Sequence, residues 1–155
     1  MKFEKFFKSA GIYGKVVNHR GIKWLVCAGV GMRVPEGMSE ILSKGADSGK
    51  NKMVVDAICD SFDGEPVMLA RAYLAKDGRP SDVLRIFADD SGNEIAIRNS
   101  DFGLLERSDV LLFWLDVEDD TEEGDETKTM RFLLVENSDN SVIGFIQGLN
   151  PAGLF

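Results

Sequence analysis

Eight of the eleven residues in segment 116–126 are carboxylates, and none is basic. They are Asp116, Glu118, Asp119, Asp120, Glu122, Glu123, Asp125 and Glu126. Clustered oxygen ligands are what a hard cation such as calcium requires. The helix–loop–helix calcium register fails, however. Placing Gly124 at the sixth loop position puts Asp119 first and Met130 twelfth, where a bidentate carboxylate should stand. The segment has two further readings. It is a solvated hairpin loop whose repelling carboxylates separate two apolar strands. Otherwise it docks on a basic partner surface, with Asp119, Asp120, Glu122 and Glu123 as contacts.

Other chemistry-bearing residues form no assembled motif. Gly45-Ala46-Asp47-Ser48-Gly49-Lys50-Asn51 is near a phosphate-binding loop. It has one residue too few between its glycines, and Asn51 replaces the magnesium-binding hydroxyl. A plain connection between helices is the expectation. Gly29 and Gly31 lack the third glycine of a dinucleotide fingerprint, since Val34 stands in its place, and are read as turning the chain out of a hairpin. Asp101-Phe102-Gly103 matches a kinase tripeptide by chance, in a chain far too short for a kinase. His19 is the sole histidine, expected exposed in a turn and so without the partners of a triad or zinc site. Cys27 and Cys59 make no Cys-x-x-Cys motif and are read as buried thiols. No cofactor, metal site or catalytic residue is assigned.

Composition narrows the classes. The chain has 155 residues with 26 acidic and 18 basic side chains, a net charge of -8. Without segment 116–126 the count is 18 against 18, so the acidity belongs to one segment of an otherwise neutral domain. No basic cluster is available for phosphates, which argues against nucleic-acid binding. No apolar run approaches the roughly 20 residues that span a bilayer. The first residues lack the pattern of a secretory signal, so the cytoplasm is expected.

The elements that must position these residues are legible as periodicities. Phe3, Phe6, Phe7 and Ala10 recur at helical spacing over residues 1–10, opposite Lys2, Glu4, Lys5 and Lys8. That helix packs on a sheet, or serves as a docking arm through Phe3, Phe6 and Phe7, or touches a membrane surface marginally. Segments 12–17 and 22–28 flank the turn Asn18-His19-Arg20-Gly21. A short helix is expected after Pro35 around Met38, Ile41 and Leu42, and a better one over residues 53–62. From Pro66 onward the period is two. Strands are expected at 67–75, 83–88, 94–98, 110–117, 129–136 and 141–147, with turn signals between them. Residues 110–115 are apolar on both faces, so a central strand holding Trp114 in the core is expected there. Residues 150–155 read as a tail. The expectation is a single α+β domain over 1–155. Its body is a β-rich antiparallel meander or small barrel of about eight strands, with short helices from the N-terminal half.

Several stretches carry a resemblance. They are Met1-Lys2-Phe3-Glu4-Lys5-Phe6, Gly14-Lys15-Val16-Val17 with Lys23-Trp24-Leu25, Asp101-Phe102-Gly103-Leu104-Leu105-Glu106, and Val142-Ile143-Gly144-Phe145-Ile146. Through these the chain resembles small accessory proteins of tailed bacteriophages and prophages of gut bacteria. The likeness spreads over most of the chain and carries over no site residue. It implies a non-enzymatic structural or assembly protein of head-decoration or connector type, which associates with other protein subunits or with itself. Its location would be the host cytoplasm and then the virion. The alternative is a small acidic phage inhibitor of a host defence or nucleic-acid enzyme. A charge confined to one segment imitates the regular charge of duplex DNA poorly.

Overall fold

The computed structural model describes residues 1–38, 45–46, 49–60, 64–74, 83–119 and 128–151. Helix α1, Phe3–Ala10, stops at Gly11, whose φ of +53° suits a residue without a Cβ. A single turn of 3-10 helix, Gly11–Tyr13, follows. Strands β1, Lys15–His19, and β2, Ile22–Cys27, are joined by Arg20 and Gly21, both at positive φ. This two-residue loop matches the twist of the strands it connects. Ala28 and Gly29, again both at positive φ, then return the chain into β3, Val30–Arg33. The expected exit from a hairpin at Gly29 and Gly31 is thus a second hairpin, and the first strand begins at Lys15 instead of Ile12.

The order continues with β4, Gly45–Ala46, and helix α2, Lys50–Asp60. Strands β5, Met68–Leu74, β6, Val83–Ala88, and β7, Glu94–Arg98, form an antiparallel sheet of three. The short helix α3, Asn99–Phe102, leads through a turn into β8, Val110–Asp119. Strands β9, Lys128–Glu136, and β10, Val142–Gly148, complete a sheet of seven in the order β4-β1-β2-β3-β10-β9-β8. The protein is therefore mixed α+β and mostly strand. Its ten strands lie in two sheets among the described residues, and neither closes into the expected barrel.

The seven-stranded sheet is buried on both faces because its strands are apolar at consecutive positions. Trp24 and Val26 point to one side with Phe132, Leu134 and Phe145, where α2 supplies Val54, Val55 and Ile58. Leu25 points to the other side with Leu133 and Ile146, where α1 supplies Phe6 and Ala10 and the small sheet supplies Phe87, Ile95 and Ile97. Successive residues of a strand face opposite ways, so one sheet serves two cores. Each fully buried side chain of this kind contributes about 1.5–3 kcal/mol. The helices thus cover only part of the sheet. The second sheet covers the rest, a layer that alternation along the chain does not reveal.

The expectation of a central strand at residues 110–115 is corrected. Among the described residues, strand β8 is the edge of its sheet and not its centre, which lies at β3. An apolar run does not by itself make a strand central: Leu111 and Leu112 pack against opposite cores, while Val110 is exposed. Its outer side is met at one point by the Val67 amide, which donates to the Leu111 carbonyl at 3.0 Å. The side chains of residues 113–115, Trp114 among them, lie outside the described residues, as do the expected helical residues 39–44 and the tail at 152–155. The two sheets meet where Ala96 and Leu149 exchange both backbone hydrogen bonds, at 2.8 and 2.9 Å. No helix among the described residues is long and apolar enough to cross a membrane.

Candidate functional site

The β1–β2 turn and α2 build a polar assembly. Lys52, Asp56 and Asp60 are spaced by four on α2, which stacks them on one face. That face meets the β1–β2 turn. His19 Nδ1 lies 2.6 Å from Asp56 Oδ1, and His19 Nε2 lies 3.6 Å from Asp60 Oδ1. An ionised carboxylate only accepts, so Nδ1 carries the proton. Arg20 Nη2 pairs with Asp60 Oδ1 at 3.3 Å. Lys52 Nζ donates to both oxygens of Asp56 and to the Asn18 carbonyl. The expected exposed turn histidine is thus corrected: His19 ends β1, is buried, and is held between two carboxylates. Its partners stand 37 and 41 positions along the chain, beyond any spacing rule. The usable signal was the charged stripe of α2.

Burial raises the Asp56 carboxyl, but hydrogen bonds from His19 and Lys52, with their charges, outweigh it and hold Asp56 below its ordinary value of 3.8. A carboxyl held low in the folded state adds stability that is present above its unfolded pKa and lost as the pH falls through the folded one. Urea melts across a pH series should therefore show Asp56→Asn less stable than the native chain at neutral pH. The gap should close only below 3.8. A gap that persists unchanged in stronger acid would remove Asp56 from the clasp.

Beside this clasp lies a cleft of about 420 Å³. His19, Arg20, Arg33 and Cys59 reach it from one side, Asn140 and Ser141 from the β9–β10 turn, and Ile22, Trp24 and Val142 form apolar wall. A thiol near a His–Asp pair invites a nucleophilic reading. The electrostatics oppose it. Burial pushes the Cys59 thiol up, and the Asp60 and Asp56 carboxylates push further, against weaker opposite pulls from Arg33 and Arg20. A neutral thiol is a poor nucleophile, and Nε2 of His19 is turned to Asp60. The arrangement works as a clasp bordering a pocket.

The residues expected to bind partners separate. Phe6 is buried in the core, with Phe3 and Phe7 half-buried against it, so this helix follows its packing reading. Asp119 pairs its backbone with Lys128 at the end of β8–β9. Asp120, Glu122 and Glu123 lie outside the described residues. Gly45 and Ala46 of the near phosphate loop form β4, parallel to β1, where a plain helix connection was expected. Asp101 of the kinase-like tripeptide is buried and accepts from Arg98 Nε at 2.8 Å. Among the described residues, no group of three His, Cys, Asp or Glu side chains is placed to hold a metal. No family model, curated protein or solved structure matches the chain.

Proposed function

We propose that the protein acts by association with protein subunits, including copies of itself, as a structural or assembly component of a tailed-phage particle of head-decoration or connector type. It would fold in the host cytoplasm and end in the virion. The phage context rests on the sequence resemblance alone. The observation that carries association is the edge strand β5. Five consecutive residues, Met68, Leu69, Ala70, Arg71 and Ala72, are exposed, so neither face of this part of the strand is covered. Met68 is 76% exposed and Leu69 46%. An exposed strand edge pairs readily with another strand unless lysine, proline or a strong bulge guards it. Here a register irregularity at Leu69–Arg71 is the only such device on the described part of β5, and no lysine or proline stands in it. Ile12 and Tyr13, 85% and 77% exposed, add a second apolar projection.

Met68→Lys together with Leu69→Lys tests this. Exposed substitutions of this kind change stability by about 0.5 kcal/mol or less each. Light scattering should find the native chain associated and the variant monomeric, with equal circular dichroism. Quantitative mass spectrometry of purified particles should find the native chain in many copies. A native chain that is monomeric and missing from particles sinks the proposal. Capture of a host enzyme that weakens steeply between low and physiological salt would favour the acidic-inhibitor alternative instead, because exposed charges are screened within about 8 Å there.

A further inference from the structure

We infer that the cleft between the β1–β2 turn, β3 and the β9–β10 turn is a binding site for a small organic anion, one carrying a carboxylate or phosphate on an apolar body. This goes beyond association and does not depend on it.

Three cations stand near the cleft, and two are already matched. Arg20 pairs with Asp60, and Lys52 with Asp56. Arg33 is different. It is half-buried at the end of β3, directly across from Trp24, and among the described residues no hydrogen bond or ion pair engages its guanidinium. Arg33 and Arg20 both line the cleft, beside Cys59. A planar five-donor fork left unpaired in a partly desolvated cleft is suited to an oxyanion held by two parallel bonds.

Neutral donors complete the polar side. In the β9–β10 turn, Asn137 Oδ1 accepts from the amides of Asp139 and Ser141, so the turn is organised by its own first residue. Among the described residues, the side chains of Asn140 and Ser141 are left at the cleft without a partner. Asn140 sits at a φ of +60°, a left-handed position that asparagine adopts more easily than most residues. Ser141 and Val142, the next two residues, line the cleft with Ile22 and Trp24.

Size and wall chemistry then choose the ligand. A cleft of about 420 Å³ falls at the small end of ligand sites, which run from roughly 300 to 1,000 Å³. That suits a metabolite-sized molecule. An inorganic anion alone would leave Ile22 and Val142 in contact with water. A neutral apolar molecule would leave the Arg33 charge unmatched. A ring bearing one oxyanion satisfies both sides.

Amide chemical-shift titration of the full ¹⁵N-labelled chain tests the inference with three probes: benzoate, phenyl phosphate and neutral benzyl alcohol. Benzoate or phenyl phosphate should shift the Trp24, Arg33 and Ser141 amides saturably, with a Kd of about 1 mM or tighter. Whichever binds better identifies the headgroup. Benzyl alcohol should bind about tenfold more weakly or worse, since it offers no charge to the guanidinium. Arg33→Gln should weaken the anion about tenfold, and Arg33→Lys should fall between, keeping charge but losing the fork. Two results overturn the site on the native chain alone: no saturable shift with either anion, or equal binding of benzyl alcohol. A folded Arg33→Gln chain that binds as the native one does would overturn it as well.

Discussion

Phe145→Ala should be among the most damaging single substitutions in this protein. It is expected to destabilise by about 3–5 kcal/mol and to lower the Tm by roughly 10 °C for a domain of this size. Phe145 is 1% exposed in the middle of β10. Its ring stands edge-on to Phe132 at 5.5 Å and tilted against Trp24 at 6.0 Å. Across the ladder it faces Gly31 of β3, and the ring occupies the space that a side chain there would fill. Removing the ring therefore opens a cavity that the opposite residue cannot close. The pair makes the prediction sharper. Gly31→Ala alone should destabilise by about 1–3 kcal/mol, because its Cβ would collide with the ring. In the Phe145→Ala background the same change should be neutral or stabilising. Thermal melts of both single variants and the double variant measure this coupling. Additive losses would show that the ring does not cover Gly31.

That contact explains how much of the fold a reader of the sequence could reach. Local elements were legible where periodicity and turn chemistry agree. Segments 83–88 and 94–98 coincide with β6 and β7, and the Phe stripe of α1 ends at Gly11 as its spacing implies. Pairing between distant strands was not legible. β3 joins β10 across more than a hundred residues, and nothing in either segment names the other. The glycines around Val30 suggested an interruption because glycine weakens a strand. Gly31 instead makes room for an aromatic ring supplied from far along the chain. In the apolar run beginning at Val110, Leu111 and Leu112 pack against opposite cores while Val110 is exposed, and whether a strand is central depends on its neighbours and not on its composition.

The candidate site followed the same division. Arg20, Gly21 and the turn were legible from short-range chemistry, and the charged stripe on α2 from helical spacing. Their meeting was not. His19 was read as exposed because its sequence neighbours, Asn18 and Arg20, are turn formers. Burial came from α2, which lies over the end of β1. Arg33 attracted no attention in the sequence because a single arginine is ordinary. Its interest comes from what three separate turns and strands leave unpaired around it. The acidic segment, the most conspicuous feature of the sequence, shares no contact with this cleft among the described residues.

The joint between the two sheets should be as sensitive as the core, though it looks minor in sequence. Gly148 ends β10, and Leu149 beside it exchanges both backbone hydrogen bonds with Ala96 of β7. A Cβ at Gly148 would meet the Ile95 side chain and, at 2.8 Å, the Ala96 carbonyl oxygen. The Ile95 side chain is itself fully buried, and the carbonyl belongs to the bond that ties the sheets. Neither can move aside without opening the joint. Gly148→Val is therefore expected to destabilise by about 3 kcal/mol, the upper part of the range for overpacking. The loss should also be directional. Hydrogen exchange should accelerate first at the amides of β6 and β7, which face the main sheet through Ile95, Ile97 and Phe87. The β1–β2 hairpin, fastened separately by α2, should keep more of its protection. Uniform acceleration across both sheets would mean that they open as one unit. A Gly148→Val chain as stable as the native one would place the joint elsewhere. The distinction bears on function, because the exposed strand β5 belongs to the small sheet. Loosening the seam should weaken association through β5 before the fold itself is lost.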